Sequence, residues 1–168
     1  EPLVFEGERR NPRRLTAREE IFRPRCLLAH SDGRHLIYGG FPGYGAAGGG
    51  LCLYRLDTGE ETLIPHDRLV PYHSTLCLAE GSAGDVYGGT SVETPGGASP
   101  RDTRARLYRL NWRSRFVEQV WEPLDAREIA WIAVDGAERI HGMTSEAVYF
   151  VFDPRGGRLL QAQDLSGG

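Results

Sequence analysis

The sequence predicts an all-β fold, a β-propeller fragment of about three and a half four-stranded antiparallel blades, and three observations carry that prediction. First, one phrase recurs: an apolar strand ending in glycine, a loop, then a second apolar strand closing on Asp or Asn. It stands at Leu36-Ile37-Tyr38-Gly39-Gly40 followed by residues 51–57, at Asp85-Val86-Tyr87-Gly88-Gly89 followed by residues 107–111, and at Arg139-Ile140-His141-Gly142-Met143 followed by residues 149–153. Second, the 22 glycines cluster around the turns of this phrase and show no three-residue period, so they belong to tight turns. Third, no stretch sustains helical periodicity. Residues 125–133 come nearest, but Trp131 and Ile132 align with the inner strand of the third unit. A unit of four antiparallel strands in about forty to fifty residues has the size of a propeller blade, and in a repeat protein the unit and its stacking decide the fold.

Taken in order, residues 1–25 hold two short apolar pieces, at 2–6 and 13–17, separated by an Arg-rich turn with Asn11 and Pro12. They match the last two strands of a preceding blade. Residues 26–65, 76–123 and 130–165 then form one full blade each, with strands A to D. The A strands begin at Cys26, Leu76 and Trp131 and carry apolar or small residues on both alternating faces, as strands covered on both sides do. Leu27, Leu76, Leu78, Ile132 and Val134 are therefore expected to be buried near the axis. Ser31-Asp32-Gly33 and Asp57-Thr58-Gly59 are tight turns in which glycine supplies the positive φ. The C strands alternate against their neighbours, and the D strands, at 61–65, 117–123 and 158–163, are the polar outer edges.

Composition narrows the function. The hydrophobic fraction of 40% suits one globular domain with a core. A net charge of -3 argues against a nucleic-acid partner, and every one of the 20 basic residues is arginine, which removes Schiff-base and P-loop lysine chemistry. Cys26, Cys52 and Cys77 are an odd set within apolar runs and read as buried free thiols. No apolar run approaches the roughly 20 residues that span a bilayer, so no membrane partner is expected. The chain starts at Glu1 without Met, which leaves localisation open.

Several motifs give way to simpler readings. Gly43-Tyr44-Gly45-Ala46-Ala47-Gly48 has the letters of a dinucleotide fingerprint, but a strand follows it where the pyrophosphate needs a helix N-terminus. His30, His35, His66, His73 and His141 have no metal-site spacing, so no metal or other cofactor is expected. Ser74, His73 and Asp67 lie too close in sequence for a triad, and no nucleophile elbow accompanies them. The long B–C loop at residues 90–106 is different. Loops of that length inside a compact domain are disproportionately functional, and Arg101, Asp102, Arg104 and Arg106 follow its Pro-Gly-Gly hinge. Arginines there suit bidentate capture of a carboxylate, sulfate or phosphate, and the simpler reading, which is preferred, is a solvated, salt-bridged flap.

The diglycine strand, the loop, and Tyr54 before Asp57-Thr58-Gly59 resemble the kelch motif of the galactose oxidase/kelch β-propeller superfamily. The resemblance runs from Cys26 to about Leu165. Its diglycine recurs at Gly88-Gly89 and becomes Gly142-Met143, while the tryptophan that a kelch repeat places in its fourth strand is missing from that position in each unit. It implies a rigid disc that presents loops to a partner, and it carries no catalytic residue across.

Up-and-down blades bring B–C loops and D–A connections out at one end, so residues 41–50, 66–74 and 90–106 should share a face. Tyr44, His66, His73, Arg101, Asp102 and Arg104 are the candidate contacts on it. The leading function is a non-catalytic module that binds a protein, a carbohydrate or an anionic ligand there. The rival is a propeller lyase or glycan hydrolase acting on an anionic polymer. Three and a half blades leave two apolar flanks, so the remainder of a longer propeller, or a second copy of the chain, is expected to cover them.

Overall fold

A computed structural model describes residues 18–167. The strand pair expected at residues 2–6 and 13–17 lies outside the described residues. Three four-stranded sheets make up the rest. The first joins β1 (Arg23–Ala29), β2 (His35–Phe41), β3 (Leu51–Arg55) and β4 (Glu61–Ile64). The second joins β5 (Ser74–Glu80), β6 (Val86–Ser91), β7 (Leu107–Asn111) and β8 (Phe116–Trp121). The third joins β9 (Ile129–Val134), β10 (Ile140–Thr144), β11 (Val148–Asp153) and β12 (Arg158–Asp164). Neighbouring strands are antiparallel and consecutive in the chain, which is the meander of a propeller blade. Among the described residues the only helical pieces are single 3-10 turns at Glu19–Ile21 and His66–Arg68, and no helix is long and apolar enough to cross a membrane.

The period of two along each strand sorts side chains onto the two faces, and the sheets stack face to face. Ile37, Leu51, Leu53 and Ile64 of the first sheet meet Val86, Tyr108 and Leu110 of the second. Cys77, Tyr87 and Leu107, on the other face of the second sheet, meet Ile129, Ile132, Ile140, Phe150 and Phe152 of the third. The inner strands β1, β5 and β9 pack side by side. Two cysteines repeat one link between blades: the Cys26 thiol donates to the Thr75 carbonyl at 3.5 Å, and the Cys77 thiol to the Ile129 carbonyl at 3.2 Å. All three cysteines are free thiols, and burial pushes Cys26 up to about 12.

Aromatic rings of the C strands lie over glycines of the B strands. Gly88 pairs with Tyr108, Gly142 pairs with Phe150, and a Cβ at either glycine would overlap the ring. Register exposes an offset in the first blade. Gly39 pairs with Cys26 and Leu51, as Gly89 pairs with Cys77 and Leu107, so Tyr38-Gly39 corresponds to Gly88-Gly89. The matched diglycines are one position apart in the structure, and Tyr108 corresponds to Cys52.

Leu76 and Ile132 are buried as expected, whereas Leu78 and Val134 are half-buried and Leu27 is 67% exposed. The reason is the same alternation. Leu28 packs toward the second sheet, which turns Leu27 to the opposite face, and no described sheet stacks there. At the other end of the stack Trp131 is 53% exposed, and β12 is exposed along its whole length.

Candidate functional site

The B–C loops and D–A connections meet at one end of the three sheets and are bonded to one another. The Gly45 amide donates to the Gly96 carbonyl, the Gly49 amide to the His73 carbonyl, and the Val92 and Ala105 amides to the carbonyls of Arg127 and Ala126. The 3-10 turn joins them, since the Gly43 and Gly50 amides donate to the carbonyls of Glu19 and Glu20. Residues 41–50, 66–73, 92–106 and 122–128 thus form one hydrogen-bonded surface. The opposite end carries short hairpin turns.

Its centre is a polar network built around a buried histidine. His73, 2% exposed, uses both ring nitrogens. Nε2 lies 3.2 Å from the Asp102 carboxylate and Nδ1 lies 2.8 Å from the Thr90 hydroxyl. Those partners assign the proton to Nε2, with Nδ1 accepting from Thr90 Oγ1. Thr90 Oγ1 in turn accepts the Arg106 amide at 2.8 Å, and the Arg106 guanidinium donates to Asp102 at 3.2 Å. Burial lowers the His73 pKa and outweighs the Asp102 carboxylate, so the ring is held neutral. Burial pushes Asp102 up, but the Thr103 amide, His73, the Arg104 amide and Arg106 outweigh it and leave the carboxyl below its ordinary range. This network ties the long loop to the D–A connection before β5.

The arginines expected to grip an anion divide. Arg104 already binds Glu122 and Asp125, and Arg106 binds Glu122 as well as Asp102. The sequence shows these arginines but not the acids that the fold brings to them from residues 122–125. Arg101 is exposed, and its guanidinium sits 5.9 Å from the centre of the Tyr72 ring.

Aromatic side chains dominate the exposed part. Tyr44, at the tip of the first B–C loop, is 77% exposed, with Phe22 and the Arg23 guanidinium against its ring. Tyr72 is half exposed and has φ of 65°; the other described non-glycine residues with positive φ, Arg115, Glu138 and Ala147, sit in hairpin turns. Holding a tyrosine in the left-handed region costs about 1 kcal/mol or more and requires surrounding structure to fix it. His66 supplies that: its Nδ1 accepts the Tyr72 amide at 2.9 Å and its ring lies 5.4 Å from the tyrosine ring. Gly48, at φ +85°, lets both approach, because a Cβ there would meet His66 Cγ at 2.7 Å and Tyr72 Cα at 2.8 Å. Sequence reasoning picked out Tyr44 and His66 but not Phe22 or Tyr72. The signal for Tyr72 was its place after Pro71 in a connection already singled out; Phe22 offered none.

Beside Tyr44 a cavity of about 310 Å³ opens between the 3-10 turn and the first B–C loop, with Glu19, Glu20 and His66 on its walls. Among the described residues no group of three or more His, Cys, Asp or Glu side chains is placed to hold a metal ion.

No protein-family model matches the sequence, and no curated protein matches it. Solved structures do. The chain is similar to U3-55K, with a TM-score of 0.62 at 13% identity over 83% of this chain and 38% of that one. The RRP9 WD40 repeats give a TM-score of 0.61 at 13% identity, again over 83% and 38%. The Dos1 propeller gives 0.58 at 14% identity, over 77% and 31%. The chain spans less than two fifths of each of these chains. The propeller part of the sequence resemblance is shown by them; its kelch part is not, since the repeats named are WD40. At such identities the likeness shows the fold alone: a β-propeller fragment of about three blades.

Proposed function

We propose that the chain is a non-catalytic protein-interaction module that offers the B–C loops and D–A connections of its blades to a protein partner. Tyr44, His66 and Arg101, joined by Phe22 and Tyr72, make up the contact set, and the ion pairs of His73, Asp102 and Arg104 tie its loops together. The observation that carries this reading is the surface itself: exposed tyrosines and a guanidinium standing on loops that hydrogen-bond to one another. Aromatic and arginine anchors on a preorganised surface are what protein recognition uses, because little ordering remains to be done on binding. Acid/base work requires instead two titratable groups with separated pKa values converging in a cleft. Here His73, Asp102 and Arg106, and Arg104 with Glu122 and Asp125, are locked in mutual pairs. The likeness to a chain in the crystal structure of the mitotic checkpoint complex, TM-score 0.60 at 11% identity, supports a role within an assembly. The apolar flanks at Leu27 and Trp131 are read as blade-stacking faces, covered by further blades of a longer propeller or by a second copy.

Affinity capture with three baits tests the reading. Wild type and a turn-face variant, Glu60→Ala with Arg113→Ala, should retain the same partner, and the loop-face variant Tyr44→Ala, Tyr72→Ala, Arg101→Ala should lose it by at least about tenfold, the effect of losing one hot-spot side chain. Equal retention by all three would overturn the assignment of the face.

A further inference from the structure

The cavity beside Tyr44 brings two carboxylates, Glu19 and Glu20, to its walls. Several carboxylates of the loop face are matched by arginine, Asp102 by Arg106, Glu122 by Arg104 and Arg106, Asp125 by Arg104 and Glu93 by Arg127, whereas Asp67 and Glu128 have no arginine partner among the described residues. Glu19 and Glu20 line the cavity, and among the described residues no cation pairs with either. Arg23 lies on the Tyr44 ring at 4.8 Å, and Arg18 is taken up by Glu61 at 2.8 Å. The cavity therefore combines two carboxylates with no cation partner among the described residues, an exposed tyrosine, and small residues at Gly43, Ala47 and Gly48.

We infer that this cavity accepts an arginine side chain from the protein partner, an inference that rests on the interaction reading above. Its volume of about 310 Å³ holds one long side chain with accompanying water. The glycine and alanine lining suits an aliphatic stem, and the tyrosine and carboxylates suit a planar cation. A guanidinium stacks on an aromatic ring and donates in parallel to carboxylate oxygens, which an ammonium does less well. The protein makes the same two contacts internally, with Arg115 stacked 3.2 Å over Trp112 and Arg18 on Glu61. An anionic side chain would instead meet two like charges, with Arg23 on the Tyr44 ring and, among the described residues, no cation paired with either carboxylate.

The test uses the full chain and short capped peptides in which one residue is flanked by glycines, followed by nuclear magnetic resonance of the protein amides. The arginine peptide should shift residues 43–48 saturably, with an affinity near millimolar, as one side chain allows. The citrulline peptide, which keeps the shape and removes the charge, should bind at least about tenfold more weakly, and so should the arginine peptide on Glu19→Gln, Glu20→Gln protein, because charge-assisted hydrogen bonds are lost in both. No shift with arginine at millimolar concentration would overturn the inference, and so would equal binding of citrulline or an unchanged affinity in the double variant. Citrulline is tested on wild-type protein, so that comparison stands even if the variant folds poorly. A partner captured by the loop face and still held by Glu19→Gln, Glu20→Gln protein would overturn the cavity assignment while leaving the interaction reading intact.

Discussion

Gly88→Ala should lower stability by about 3 kcal/mol, the upper part of the range for overpacking a core, and should lower Tm by about 6–12 °C for a chain of this size. The reason is local. The Tyr108 ring lies over Gly88 with no accessible surface, and its hydroxyl is fixed at 3.0 Å from Thr75 Oγ1. The ring therefore has nowhere to go when a methyl group arrives, and either the B strand shifts or the second blade loosens from the first. Gly142→Ala should behave in the same way against Phe150. The control is Gly136→Ala, where an added Cβ meets nothing within 4 Å, and where a change within about 0.5 kcal/mol is expected. Thermal melts of the three variants check this. Equal effects at Gly88 and Gly136 would contradict the ring-over-glycine packing.

Phe150→Ala should cost about 4 kcal/mol, the range for truncating a buried phenylalanine. Phe150 is fully buried between the second and third sheets, among Leu107, Ile129, Ile132 and Phe152, so its removal opens a cavity at the joint between blades. Chemical denaturation measures the loss, and hydrogen exchange locates it. Amides of β9 to β12 should lose protection first, because the third sheet packs on described structure through this face only. Uniform loss across all three sheets would show instead that the blades open as one unit.

The blade unit was legible because each turn carries its own chemistry and each strand its own alternation. Asp57-Thr58-Gly59 closes one hairpin, and Gly59 takes φ +72° there. Register was less legible. Both blades carry a bulge at the same place, between Pro24 and Cys26 and between Thr75 and Cys77, and against that common frame Gly39 matches Gly89 while Gly40 matches Thr90, so two diglycines that match by letter sit one position apart. Leu27 shows a second limit: alternation tells which residues share a face, but not whether another sheet lies against that face. At the site, Tyr44 and Arg101 could be named because they stand in long or glycine-rich connections. Glu19 and Glu20 could not, since the cavity exists only when the segment before β1 folds against the loop after β2, and nothing local in either stretch announces that contact. His73 and Asp102 stand in connections that the sequence singles out, but the burial of His73 and its pairing with Asp102 are not written in any local pattern.

Site-specific photocrosslinking tests the central claim, that the hydrogen-bonded loop end of the blades is the recognition surface, most directly. A photoreactive residue is placed in turn at Tyr44 and Tyr72 on the loop face and at Thr58 and Arg113 on the turn face, and each protein is irradiated with the captured partner bound. Adducts are expected from positions 44 and 72 and none from 58 and 113. Adducts from the turn positions, with none from the loop positions, would contradict it.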